Sequence, residues 1–385
     1  MVTIVRGAEK AYGWGIVDGL ARWSGVWTGQ PQAELWFGAH PAGPSPMIGP
    51  DGGPTGHCLD ELFGVDEVPL LVKLLAAASP LSVQVHPAAA LAERMWLAQQ
   101  PEPVDPVLAD ACEKTELIVA LEPFEAFVGW RATDDAVAIL SEVPAAADAI
   151  TLLLAGDRRG AIRSLLAIDD RNFSVELLPA AARHAGLGDS ECRAYEVVSR
   201  TYPGDRGALL TALLQYISLD VGSAIYVPAG VPHSYICGVG LEVMTTSDNV
   251  LRLGLTPKPI FVDAALEALD MDRTPEVITA QIGQRISPKG SPFVVTLMST
   301  RQTADRSASG GAAGAATAGT AGTAHLASGA YRLILAIDGS TEVDTGSATV
   351  TLPVGSAAIL AAGDADAQVT TTGLAALVAD RGPTG

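Results

Sequence analysis

Three of the six histidines in this 385-residue chain adjoin a proline: His40 precedes Pro41, His86 precedes Pro87 and His233 follows Pro232. A ring-fixed neighbour restricts the backbone around an imidazole, and a ligand with little freedom left to lose suits a metal. In the run 81–86, LSVQVH, the two-residue period of a strand puts Ser82, Gln84 and His86 on one face and Leu81, Val83 and Val85 on the other. Such a polar face suits a cavity; a half-exposed edge strand shows the same alternation. The run 222–233, GSAIYVPAGVPH, reads as a strand ending in a turn, where Pro228, Gly230 and Pro232 deliver His233 rigidly. A surface-loop histidine is the competing reading. Glu116 opens the otherwise apolar run 117–121, where a carboxylate needs a partner. Two neutral imidazoles and this carboxylate, with the carbonyl oxygen of Gln84, would make an N/O set suited to Zn²⁺ that leaves room for water or a substrate oxygen.

These groups need a scaffold of short strands. Runs 69–75, 81–86 and 116–121 are strand candidates among turn-rich loops, and 217–255 is β-rich with Gly-Pro turns. Between them the pattern is helical from about 133 to 200, as at 134–143, 160–168 and 190–199. Helices are also expected at 88–99 and around 207–216. The small-residue stretch 303–324 cannot bury enough apolar surface to offset its ordering entropy and reads as a flexible linker. Beyond it, 331–337, 349–352 and 356–360 alternate as strands of a small all-β domain. The expected division is a discontinuous β domain, 1–130 and 215–302, a helical insert, 131–214, the linker, and a C-terminal β domain, 325–385.

A net charge of −19 disfavours nucleic-acid backbones and anionic membranes as partners, so an anionic ligand would need a local basic exception. Although 48% of residues are hydrophobic, no apolar run reaches the roughly 18 residues of a membrane span. The first fifteen residues lack the charged head and long apolar stretch of a secretory signal, and the expected compartment is the cytoplasm. Cys58, Cys112, Cys192 and Cys237 show no C-x-x-C spacing and are expected to be reduced.

Several segments, in order, resemble the type I phosphomannose isomerases, a family of the cupin superfamily. They are YGWG at 12–15, AELWFGAHP at 33–41, PLSVQVHP at 80–87, KTE at 114–116, YVPAGVPH at 226–233 and SDNVLRLGLTPK at 247–258. The resemblance covers most of 1–258. Run 222–233 also resembles the second cupin motif, G-x5-P-x-G-x2-H, with Cys237 where an Asn often ends it. The family commonly has His-Lys-Pro-Glu where this chain has Glu113-Lys114-Thr115-Glu116, which removes a histidine and a rigid proline and keeps Lys and Glu. The run 355–363, GSAAILAAG, looks like a degenerate cupin turn without Pro or His, so no second metal is expected there.

The resemblance implies a mainly β fold with a helical insert, built on a catalytic cupin barrel and a C-terminal one. It further implies one zinc per chain on Gln84, His86, Glu116 and His233, and interconversion of mannose 6-phosphate and fructose 6-phosphate through a cis-enediol. The reaction needs a base near C1 and C2, for which Lys114, Glu242 and Asp248 are candidates. Glu242 alternates with apolar residues, and burial would raise its pKa usefully, although a solvated strand face has the same pattern. Arg252 can fork to phosphate or sugar oxygens, with Lys258 just beyond. Lys73, inside an apolar strand, must be answered by phosphate or by an internal carboxylate, and Ser82 could add a hydroxyl to the phosphate. His40 is either an aid to ring opening or structural. The expected partner is a small hexose phosphate, and the protein is expected to be a monomer. An iron-dependent cupin oxygenase and a non-enzymatic sugar-binding cupin are the rival readings. Metal content separates the first; binding of mannose 6-phosphate without turnover would favour the second.

Overall fold

A computed structural model describes residues 2–64, 66–100, 106–169, 174–299 and 322–381. Its architecture is mainly β, with five α-helices grouped between residues 133 and 201 and others, such as Ala89–Ala98, among the strands. An eleven-stranded antiparallel sheet holds most of the residues singled out above, and its central element is the 13-residue strand His233–Thr245. This strand changes partners partway along. Residues 233–237 pair with Phe124–Trp130, whereas 238–245 pair with Leu70–Ala77, and 240–244 also pair with Glu116–Ala120. The switch falls at Gly238, whose φ of +128° and approach to Pro123 leave no space for a side chain: a Cβ would lie 2.6 Å from the Pro123 carbonyl oxygen. One continuous strand therefore carries His233 on one part of the sheet and Glu242 on another.

A second sheet has eight strands, in the order Arg285–Ile286, Phe293–Ser299, Leu374–Asp380, Arg332–Asp338, Ser356–Leu360, Thr3–Arg6, Pro46–Ile48 and Pro54–Cys58. The first strand of the protein thus lies beside one of the last, with Thr3 opposite Ile359. Strands of 1–130 consequently contribute to both large sheets. Val72, Leu117 and Leu241 from one sheet and Val295, Leu333 and Val378 from the other share one buried core, as apolar sheet faces must to escape water. Strand pairing in both sheets runs as open orders, with no closed ring among the described residues.

The helices Thr133–Leu140, Ala147–Leu154, Arg158–Leu166, Leu177–His184 and Asp189–Thr201 pack with the apolar sides of Val83, Val85, Leu251 and Leu253. The helical segment is therefore the back support of the strands that carry Gln84 and Arg252. One expectation needs correction, and another lies largely outside the described residues. Run 207–216 is not one helix: a 3-10 turn, Arg206–Leu213, gives way to the strand Leu214–Leu219, whose half-buried alternation pairs with Phe124–Trp130. The stretch 303–324 lies outside the described residues except at its end, where the strand Gly322–Leu326 begins. The helix Val262–Ala268 was not anticipated. All four cysteines are unpaired, and no described helix is long and apolar enough to cross a membrane.

Candidate metal centre and adjoining cavity

Glu116, His86 and His233 converge in the interior. Glu116 Oε1 lies 3.2 Å from His86 Nε2, and Oε2 lies 3.2 Å from His233 Nε2. All three side chains are buried. Both rings are oriented from behind: His86 Nδ1–H donates to the Asn249 carbonyl at 2.7 Å and His233 Nδ1–H to the Val231 carbonyl at 3.0 Å. A ring whose single proton sits at Nδ1 turns its Nε2 lone pair toward the carboxylate. Burial, aided by the charge of Lys114, pushes the His86 pKa down to about 4, so this ring is neutral at physiological pH. Its Nε2 has no hydrogen-bond partner, and the short approach to Glu116 is a contact between two acceptors. A divalent cation resolves that conflict, and the donor set is one zinc accepts.

Gln84 stands beside this cluster because its strand, Val83–Val85, is wedged between two partners: Gln84 is opposite His233 on one side and Arg252 on the other. Its amide nitrogen lies 3.1 Å from His233 Nε2, and its Oε1 accepts from Ser82 Oγ at 3.2 Å. A half-turn of the amide exchanges the two atoms and brings the oxygen to the histidines. The turn that delivers His233 is locked to the same strand, since Gly230 N–H donates to the His86 carbonyl at 2.8 Å.

The centre opens on a cavity of about 330 Å³ that Gln84 and Glu116 line together with Ser82, Lys73, Lys114, Glu242, Asp248, Arg252 and Lys258. Charges on its floor are paired. Lys114 Nζ lies 2.8 Å from Glu116 Oε1; Lys73 Nζ lies 3.0 Å from Glu242 and 3.8 Å from Glu34. Burial opposes ionisation of Glu116, but nearby positive charge, that of Lys114 foremost, outweighs it and holds the carboxyl well below the usual range. Burial raises the Glu242 pKa despite the opposing ammonium of Lys73. At the other wall Arg252 is half-buried and donates only a 3.4 Å contact to the Val250 carbonyl, while Lys258 is exposed. Among the described residues neither has a carboxylate at ion-pair distance. These two donors are free to meet an anion.

The surroundings of Lys73 and His40 bear on the alternatives the sequence left for each. Lys73 is answered by carboxylates, because Glu242 is its direct cross-strand neighbour, and it is not left waiting for phosphate. His40 does not line the cavity; it packs edge-on against Trp36 at 5.4 Å, and its Nδ1 accepts from Ala42 N–H at 3.1 Å. Asp248 reaches the cavity as an exposed rim residue. Asn249 and Glu34 were missed. Asn249 orients His86 and ties the loop before Lys114 through bonds to Asp110 and Cys112; Glu34 accepts from Trp36 Nε1 at 2.7 Å. Glu34 could have been found by the signal that found Glu116, a carboxylate within a buried apolar strand.

With this geometry in view, the likeness to known proteins is direct. Residues 8–133 match the family described as phosphomannose isomerase type I, catalytic domain. The mannose-6-phosphate isomerase of Salmonella typhimurium is 33% identical over 300 residues, covering 70% of this chain and 76% of that protein. That of Escherichia coli is 31% identical over 302 residues, covering 71% and 76%. A crystal structure of a single-substitution mutant of phosphomannose isomerase from Salmonella typhimurium superposes with a TM-score of 0.80 at 27% identity, covering 99% of each chain.

Proposed function

The chain belongs to the type I phosphomannose isomerase family and is an aldose–ketose isomerase; from that premise we propose that it interconverts mannose 6-phosphate and fructose 6-phosphate at a zinc ion held by Gln84, His86, Glu116 and His233. The observation that carries this reading is the pair of buried imidazole Nε2 atoms, each 3.2 Å from an oxygen of one buried carboxylate. Bound zinc supplies Lewis-acid polarisation of the sugar oxygens. Lys114, bonded to Glu116, is placed to donate to the oxygen on which charge develops as the enediol forms. Glu242 carries the proton between C2 and C1: burial raises its pKa and so makes it a stronger base than an exposed carboxylate, and Lys73 fixes it in place. Arg252 and Lys258 take the phosphate, with the Ser82 hydroxyl beside Gln84 available to the same ligand.

The sequence-based division into a discontinuous catalytic cupin barrel, a helical insert and a C-terminal cupin-like barrel belongs to this proposal, with Thr3–Arg6 assigned to the C-terminal sheet. So do the cytoplasmic location and the monomeric state. The test is a coupled assay on mannose 6-phosphate in D₂O. Conversion with deuterium appearing on C1 of the fructose 6-phosphate supports an enediol and a protein base; product free of solvent deuterium at every extent of reaction counts against Glu242 as an exchanging base. No conversion at all refutes the substrate assignment.

A further inference from the structure

Leu255 has a φ of +55°, a region that bulky side chains avoid, and it is buried in the cavity wall between Arg252 and Lys258. Such strain persists only where the surroundings over-determine the backbone. Here the surroundings come from the turn 202–207, which follows the helix Asp189–Thr201. That turn touches the cavity walls at two places. Tyr202 Oη donates to the Pro80 carbonyl at 2.9 Å, two residues before Ser82. Asp205 uses both carboxylate oxygens, Oδ1 accepting from Gly207 N–H at 2.7 Å and Oδ2 from Thr256 N–H at 3.2 Å. Gly207 and Gly254 lie so close that a Cβ on either would come within 2.3 Å of the other's Cα. Thr256 Oγ1 in turn accepts from Lys258 N–H at 3.1 Å. Leu255 is thus pinned from both sides, through Gly254 by backbone contact and through Thr256 by Asp205.

We propose that Asp205 is a positioning residue for substrate phosphate: through Thr256 it holds Leu255 in its strained conformation and so sets Arg252 and Lys258 at the distance and angle an anion needs. The inference rests on assigning those two cations to the phosphate. Asp205 itself does not line the cavity and bonds to no metal-ligand candidate, so its loss acts on binding and spares chemistry. Without it the backbone at Leu255 relaxes toward an ordinary conformation, and the segment carrying Lys258 moves off the wall.

The experiment compares Asp205→Ala and Asp205→Asn with the unaltered zinc-loaded enzyme in kcat, KM for mannose 6-phosphate, competitive inhibition by inorganic phosphate, metal content and melting temperature. For Asp205→Ala, KM and the phosphate inhibition constant should rise together by about 10-fold with kcat nearly constant and zinc retained. Asp205→Asn, which keeps one acceptor oxygen, should fall between. Unchanged KM and phosphate inhibition would overturn the proposal, as would kcat falling in step with melting temperature. Arg252→Ala and Lys258→Ala, measured alongside, separate the two levels. If neither weakens phosphate, the proposal falls together with the phosphate assignment beneath it. If they do and Asp205→Ala does not, the positioning role alone is wrong.

Discussion

Each of the two large sheets buries a cation in an apolar strand, and the two cations are handled differently. Arg332, in the eight-stranded sheet, is closed off by backbone: its guanidinium donates to the carbonyls of Ala330, Leu326, Ala365, Ala361 and Asp364. Lys73, in the eleven-stranded sheet, meets the side-chain carboxylates of Glu242 and Glu34 and still lines a cavity. A cation capped by carbonyls can only hold loops together. One paired with titratable groups beside open volume can take part in chemistry, because its partners can change protonation while it holds them in place. The cluster of His86, Glu116 and His233 belongs to the second kind of environment, and among the described residues no similar cluster occurs in the other sheet.

The contrast can be broken most severely at Lys73. Lys73→Met leaves two buried carboxylates without their cation, at a cost of about 4 kcal/mol in stability, and should also remove most turnover. A variant with wild-type melting temperature and kcat would show that the pair is ornamental. Arg332→Met should cost about 3 kcal/mol through unsatisfied carbonyls while leaving kcat/KM of the folded protein intact. Impaired catalysis in protein that is still folded would put the second sheet into the mechanism. Arg252→Ala should lower kcat/KM by about 100-fold, or about 2.7 kcal/mol, with zinc retained and little change in melting temperature; an unchanged rate removes it from the site. The smallest effect is expected at exposed Lys258, whose replacement by Ala should raise KM by about 3-fold, more at low salt than at high. A salt-independent response would argue against a charge contact.

The metal set was legible because each member is an anomaly in its own segment. Glu116 stands in an apolar strand, His86 ends an alternating run, and a proline-glycine turn delivers His233. Lys73 was equally visible as an ammonium needing an answer, yet its partner was not, since Glu242 faces it across a strand pairing that only folding establishes. The same limit hid the place of Thr3–Arg6, a short strand whose neighbours include Ser356–Leu360 near the opposite end of the chain. Asn249 acts partly through its backbone carbonyl on His86, and a carbonyl carries no sequence signal. The strain at Leu255 is likewise a property of neighbours, since the residue name gives no hint of a positive φ. Helical periodicity agrees with the helices Thr133–Leu140, Arg158–Leu166 and Asp189–Thr201 but failed at 207–216, where a 3-10 turn and a strand share one apolar run.

We propose that two imidazoles, a carboxylate and an amide oxygen hold a catalytic zinc. Metal analysis and isomerase assay of one sample, before and after chelation, test it most directly. The account predicts about one zinc per chain, loss of mannose 6-phosphate turnover as the ion is withdrawn, and recovery when zinc is returned. Full turnover by protein stripped of metal would contradict it.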